Sequence, residues 1–277
     1  MPAFVSPLLA LGLLVGGTVL LLRVFAAPLA PYPKRTRRTL ALATAGGLIG
    51  APFWWGAVPV SFAWAMPSLA FRFLAAAGLA FGAVGLAVMA RPSPAKIRFV
   101  LGMLATYLGP LLVLILLFHR GALDWSQPVS WGFLGIVVLL TFWSLLEMVK
   151  SRDLRPGTLP GPVERGIWAV GIGLFGLWSA ALLVWPGGEV RLIWPWPDNA
   201  LTTRLIGAML LTLFMMSWMA RNRTELARLA ALGVATYGLW VSIACGLRVV
   251  AGQPVPWLYA VVLGGGGLLA AMRLVRA

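Results

Sequence analysis

Apolar residues fall along this chain in runs of about twenty, separated by short stretches rich in arginine, proline or both. Such a run crosses a hydrocarbon core of about 30 Å at about 1.5 Å per residue. The pattern therefore predicts nine membrane helices, over residues 4–23, 39–58, 66–90, 98–118, 129–149, 165–185, 200–220, 226–247 and 255–273. The expected fold is all-α, a polytopic transmembrane helical bundle.

Composition points the same way. Hydrophobic residues make up 61% of the 277 and charged residues 10%, against about 25% charged in soluble domains, which excludes a soluble globular protein. The formal charge of +15 would suggest nucleic acid in a soluble chain. Here the basic residues lie in short loops between apolar runs, so they report topology, and no nucleic-acid partner is expected. Alternate loops carry Arg23, Lys34, Arg35, Arg37 and Arg38; then Arg91, Lys96 and Arg98; then Lys150, Arg152, Arg155 and Arg165; then Arg221, Arg223 and Arg228; and finally Arg273 and Arg276 in the tail. The other side has Arg120, Arg191 and Arg248, while Arg72 and Arg204 lie within helices. The positive-inside rule then puts the N-terminus outside and the C-terminus in the cytoplasm. No basic residue precedes the first run, which reads as a retained helix and not as a cleaved signal. The excess of arginine over lysine, with abundant Ala, Gly, Leu and Pro, fits a GC-rich prokaryote, hence an inner-membrane location.

The chain also repeats itself. Met89-Ala90-Arg91 returns as Met219-Ala220-Arg221 and Ala105-Thr106-Tyr107 as Ala235-Thr236-Tyr237, both at an offset of 130 that Pro67/Pro197 and Arg98/Arg228 share. Gln127-Pro128-Val129-Ser130-Trp131 answers Gln253-Pro254-Val255-Pro256-Trp257 at 126, as Gly47-Leu48-Ile49-Gly50 answers Gly173-Leu174-Phe175-Gly176. Several motifs in one order at nearly constant offset predict a duplicated four-helix unit. The expected parts are an N-terminal helix and basic loop (1–38), repeat one (39–155) and repeat two (156–277). Four is even, so both copies enter from one side, and the repeats are parallel about an axis along the membrane normal.

Gly46/Gly50 and Gly78/Gly82 have small-xxx-small spacing, and Gly264 to Gly267 form a run in the last helix. These suit close helix contact, within the chain or against a partner. Nine of the fourteen tryptophans, among them Trp54, Trp55, Trp64, Trp194 and Trp196, lie near outer ends or loops, as an aromatic belt or a docking face would require.

Chemistry has few footholds. A lone His119 and a lone Cys245 give no metal set, no bis-histidine haem and no disulfide, so neither metal nor cofactor is expected. No nucleophile, base and orienter fall together, and no phosphate-binding or dinucleotide loop is present, so catalytic residues are not assigned. His119 and Asp124 share the outer side and are the sole support for lipid chemistry. Glu147, close to Lys150 and Arg152, reads as an interfacial ion pair. Arg72 and Arg204, in equivalent helices, either snorkel or cap carbonyls, or form an anion site between the repeats. Thr106-Tyr107 and Thr236-Tyr237 lie at mid-helix, where polar side chains bond across helices or contact a ligand at the repeat interface.

The stretch Trp194-Pro195-Trp196-Pro197 followed by Arg204-Leu205-Ile206-Gly207-Ala208, with the Gln-Pro-Val-x-Trp turn before the last helix, resembles uncharacterised multi-pass bacterial membrane proteins. The resemblance covers about a quarter of the chain. It implies a duplicated helical membrane protein and carries over no functional residue. The expectation is a non-catalytic subunit or scaffold packing against membrane proteins, lipids or pigments. The alternative is a small transporter or channel-like protein for a neutral, lipidic or anionic substrate.

Overall fold

The computed structural model describes residues 5–58, 61–150, 157–186 and 200–276. Among these residues every long element is a helix and none is a strand. In chain order they are α1 (Val5–Val24), α2 (Lys34–Trp55), α3 (Ser68–Ala90), α4 (Pro94–Phe118), α5 (Pro128–Lys150), α6 (Pro162–Val184), α7 (Ala200–Asn222), α8 (Thr224–Val250) and α9 (Trp257–Arg276). A short helical turn, Ala26–Leu29, links the first two. Seven of them, α3 to α9, are long and apolar enough to span a membrane. α1 supplies a shorter apolar stretch, Leu9–Val24. α2 opens on Lys34, Arg35, Arg37 and Arg38, and its remainder is diluted by Thr, Gly, Pro and Trp.

Proline and backbone caps set the ends. Pro94 and Pro162 occupy first-turn positions where the missing N–H costs nothing. Ser93 caps α4 by accepting from the Lys96 amide at 3.3 Å. α2 ends with Val58 N–H donating to Phe53 O and Ala57 N–H to Trp54 O, a Schellman pairing. It places Ala57 at φ 49, a left-handed position that costs a residue with Cβ about 1 kcal/mol or more. Several helices run past the apolar stretches: α2 takes in its basic residues from Lys34, α4 starts at Pro94, and α8 covers Thr224–Val250. Hydropathy reports the hydrocarbon layer, whereas backbone hydrogen bonding continues into the headgroup region, so apolar runs read short.

Four helices form the centre. α3 packs on α8 and α4 on α7, and α7 also meets α8. Around them α2 lies on α3, α6 on α7, α5 on α4 and α9 on α8, with α1 outside α2. Burial follows this order: 67% and 78% of the apolar windows of α3 and α7 are buried, but 28%, 28% and 22% of those of α5, α6 and α9.

Two contacts between helix backbones hold the outer layer in. A Cβ on Gly47 would lie 2.5 Å from the carbonyl oxygen of Gly78, so α2 and α3 touch backbone to backbone. A Cβ on Gly238 would lie 2.2 Å from Leu263 O and 2.8 Å from Gly267 Cα, which sets α9 equally close to α8.

Candidate functional site

The residues expected to carry function fall into three groups along the bundle. At mid-depth, Thr106 on α4 and Thr236 on α8 each donate to a carbonyl four residues back in their own helix, Gly102 O and Leu232 O, both at 2.8 Å. The expected bonds across helices are not made by these hydroxyls. Tyr107 packs its ring on Phe81 of α3, with centroids 5.7 Å apart. Tyr237, 2% exposed, does bond across helices: its hydroxyl lies 2.6 Å from that of Tyr259 on α9 and 3.8 Å from the Met209 sulfur on α7. Tyr259 is fully buried, stacked on Phe73 of α3 at 5.0 Å and edge-on to Trp178 of α6 at 5.2 Å. Five helices thus meet around one hydroxyl pair.

Sequence reasoning missed Tyr259 because it sits two residues after Trp257, where a belt aromatic is expected. The offset of 126 was the available signal, since it aligns Tyr259 with Phe133. The aligned position therefore carries no hydroxyl. Phe133 instead joins a ring cluster with Phe62 at 5.1 Å and Trp64 at 5.5 Å.

A cavity of about 20 Å³ lies where α3, α4, α7 and α8 meet, lined by Ala77, Phe81, Met103, Met209, Thr212 and Tyr237 among others. It has room for about one water, far below the roughly 300 Å³ of a small ligand pocket. The Thr212 hydroxyl on its wall already donates to Ala208 O at 3.0 Å.

At the end away from most of the arginines, Arg204 is held from three directions. Its Nε donates to Leu183 O at 3.2 Å at the end of α6, one terminal nitrogen lies 2.6 Å from His119 Nε2, and the Phe118 ring centroid is 5.3 Å from its central carbon. The guanidinium can only donate, so His119 accepts through Nε2 and carries its proton on Nδ1. Burial, and then the neighbouring guanidinium, hold His119 below the ordinary imidazole value of 6.5. Arg72 is half-buried, and its Nε has no hydrogen-bond partner among the described residues. Asp124 bonds the amide and hydroxyl of Ser126, at 3.0 and 2.6 Å, which hold its carboxyl below the usual range. His119 and Asp124 are thus engaged separately, and no acid–base pair forms between them.

The tryptophans at this end close the bundle from within. Trp64 is 5% exposed and donates to Thr202 Oγ1 at 3.2 Å. Half-buried Trp54 donates to Ser61 O at 3.4 Å, and Trp55 meets Trp240 of α8 edge-on at 5.0 Å. Gly78 faces Gly47 and the Trp54 ring, and Gly82 faces Leu48, so both glycines pack inside the chain. Trp194 and Trp196 lie outside the described residues, as do Arg152, Arg155 and Arg191.

At the opposite end, Glu147 is 6% exposed and accepts a short hydrogen bond from the Thr36 hydroxyl of α2. The expected pairing with Lys150 is not formed; Lys150 is exposed. Arg273 of α9 pairs with Glu164 of α6, and Ser93 donates to Glu225 at 3.2 Å, so polar links tie the helix ends here. No metal-binding group of three or more His, Cys, Asp or Glu occurs among the described residues. No protein-family model, curated protein or solved structure matches the chain.

Proposed function

We propose that this protein is a non-catalytic integral membrane subunit or scaffold, holding nine spans in the inner membrane of a prokaryote with its N-terminus outside. The filled interior carries the reading: at the centre of the bundle the cavity is about 20 Å³, and the hydroxyls of Thr106, Thr212, Thr236 and Tyr237 are already engaged. Activity at the outer surface is what such a protein has left to offer. Its peripheral helices present bare apolar faces, with Val170 69% and Leu177 78% exposed on α6. Lipids cover such faces, and so do other membrane proteins. The basic end suits anionic headgroups.

A duplicated four-helix unit after one extra helix belongs to this reading, as does kinship with duplicated multi-pass bacterial membrane proteins. The packing supports the duplication. Exchanging α2–α5 with α6–α9 turns the α2/α3 contact into α6/α7, α4/α5 into α8/α9, and the central α3/α8 contact into α4/α7, and all of these occur.

One observation favours a second reading, a small transporter for a neutral, lipidic or anionic substrate: the cavity sits where the two proposed repeats meet. Replacing Arg72 and Arg204 together by glutamine separates the two. Loss of flux in vesicles with intact assembly supports transport. Loss of a stoichiometric membrane partner, with the chain still monodisperse, supports the subunit.

A further inference from the structure

Three methionines, Met103 on α4 and Met209 and Met216 on α7, share the wall of the cavity where the four central helices meet. They are 1%, 4% and 2% exposed, as deep in the bundle as its leucines. Met209 and Met216 stand about two turns apart, which puts both on one face of α7. Other lining residues locate two of the sulfurs. Met209 Sδ lies 3.8 Å from the Tyr237 hydroxyl, and Met216 Sδ would lie 3.8 Å from a Cβ on Gly233. Glycine at 233 is what admits Met216, whose terminal methyl would stand 2.5 Å from that Cβ. Gly102, next to Met103, does the same for two more methionines of α7: a Cβ there would meet Met215 Sδ at 3.1 Å and Met219 Sδ at 3.7 Å. Thioethers thus continue from the cavity toward the end of α7 at Asn222, the basic end.

Leucine fills an apolar core as well as methionine does; what methionine adds is a polarizable sulfur with lone pairs. The rest of the wall leaves those lone pairs as its available donors. Its two hydroxyls are engaged, Thr212 with Ala208 O at 3.0 Å and Tyr237 with the Tyr259 hydroxyl at 2.6 Å. Among the described residues the lining includes no carboxylate and no imidazole. Sodium, magnesium and calcium require oxygen donors, and zinc takes thiolate, imidazole or carboxylate, so this wall does not suit them. Soft thioethers select copper(I). The cavity of about 20 Å³ admits one guest of atomic size, and a single charge is the least costly to carry into hydrocarbon. An aromatic ring, Phe81, completes the wall, and aromatic rings are favourable neighbours for a cation.

We propose that Met103, Met209 and Met216 together bind one copper(I) ion at the centre of the bundle. Three rotatable bonds let each thioether turn onto the ion while the helices stay in place. The site goes beyond a scaffold, and its test is independent of any partner protein.

Silver(I), a soft monovalent cation that is stable in air, is the probe. The full chain carrying Cys245→Ala, which removes its one thiol, is reconstituted in vesicles of a saturated phosphatidylcholine. It is dialysed in chloride-free buffer against silver nitrate, or against sodium or zinc nitrate. Bound metal is read by elemental mass spectrometry, and its donor atoms by X-ray absorption at the silver edge. The expected result is one silver per chain above protein-free vesicles, with a first shell of sulfur, and no retained sodium or zinc. Met103→Leu, Met209→Leu and Met216→Leu each nearly conserve volume and should weaken silver binding by about tenfold or more. Met272→Leu, at an exposed position of α9, should leave it unchanged. No silver above the vesicle blank overturns the proposal, as does a first shell of nitrogen or oxygen; these two readings need no methionine variant to fold. An affinity that the three cavity substitutions leave unchanged, or a loss that Met272→Leu shares, overturns it too.

Discussion

Alanine at Gly267 tests the packing on which the bundle rests. A Cβ there would stand 2.9 Å from Gly238 Cα and 3.2 Å from Gly238 carbonyl carbon. Both are backbone atoms, which cannot swing aside as a side chain would. Restoring an ordinary contact of 3.4 Å requires α8 and α9 to part by about 0.5 Å along the Cα direction. A radial gap of about 0.5–1 Å forfeits a quarter to a half of the dispersion energy of each contact it opens. Overpacking of a close-packed interior costs about 1–3 kcal/mol, and that is the expected loss. The four-glycine run supplies its own controls. Cβ atoms on Gly265 and Gly266 would meet nothing within 4 Å, and one on Gly264 would meet the movable hydroxyl of Ser242 at 2.5 Å. Reversible unfolding in mixed micelles with increasing dodecyl sulfate, followed by tryptophan fluorescence, should rank the alanine variants with Gly267 far below Gly264 and with Gly265 and Gly266 at or above the parent. A Gly267→Ala variant as stable as Gly265→Ala would refute the reasoning.

Two further outcomes follow from the sites. Tyr237→Phe and Tyr259→Phe each remove the 2.6 Å hydrogen bond between the two hydroxyls and should cost about 1–2 kcal/mol, while the double variant costs less than the sum; additive losses in the same unfolding assay would sink this. Lowering the pH should destabilise the protein through His119, because its folded value lies below the ordinary 6.5. The unfolded chain then binds the proton more readily, so this stability is complete above 6.5 and is lost as pH falls toward the folded value. His119→Ala should flatten that part of the pH profile, and an unchanged slope would remove His119 from it.

Much of the fold was legible because hydrocarbon imposes a simple rule on sequence: about twenty apolar residues and then a break. Helix ends escaped the rule where charged residues continue a helix into the headgroup layer, as Lys34 to Arg38 do. Faces escaped it too. Gly264 to Gly267 look alike in sequence, yet only Gly267 touches another backbone, since each glycine faces a different direction around α9. Trp64 reads as a belt residue until Phe62, Phe133 and Thr202 are seen to enclose it. Glu147 was read as an interfacial ion pair by its nearness in sequence to Lys150 and Arg152; Arg152 lies outside the described residues, and the chain brings Thr36 to Glu147 from 111 positions away. His119 was read beside Asp124 because the two are close in sequence, whereas its pairing with Arg204 depends on how α4 and α7 cross.

The most direct measurement is gentle extraction of the protein from native membranes, with sizing and mass spectrometry of whatever travels with it. A scaffold with a filled interior should emerge in a larger complex of defined stoichiometry that survives a second purification step. A lone chain, or a homo-oligomer carrying only lipid, would contradict the subunit reading and return attention to the meeting point of α3, α4, α7 and α8.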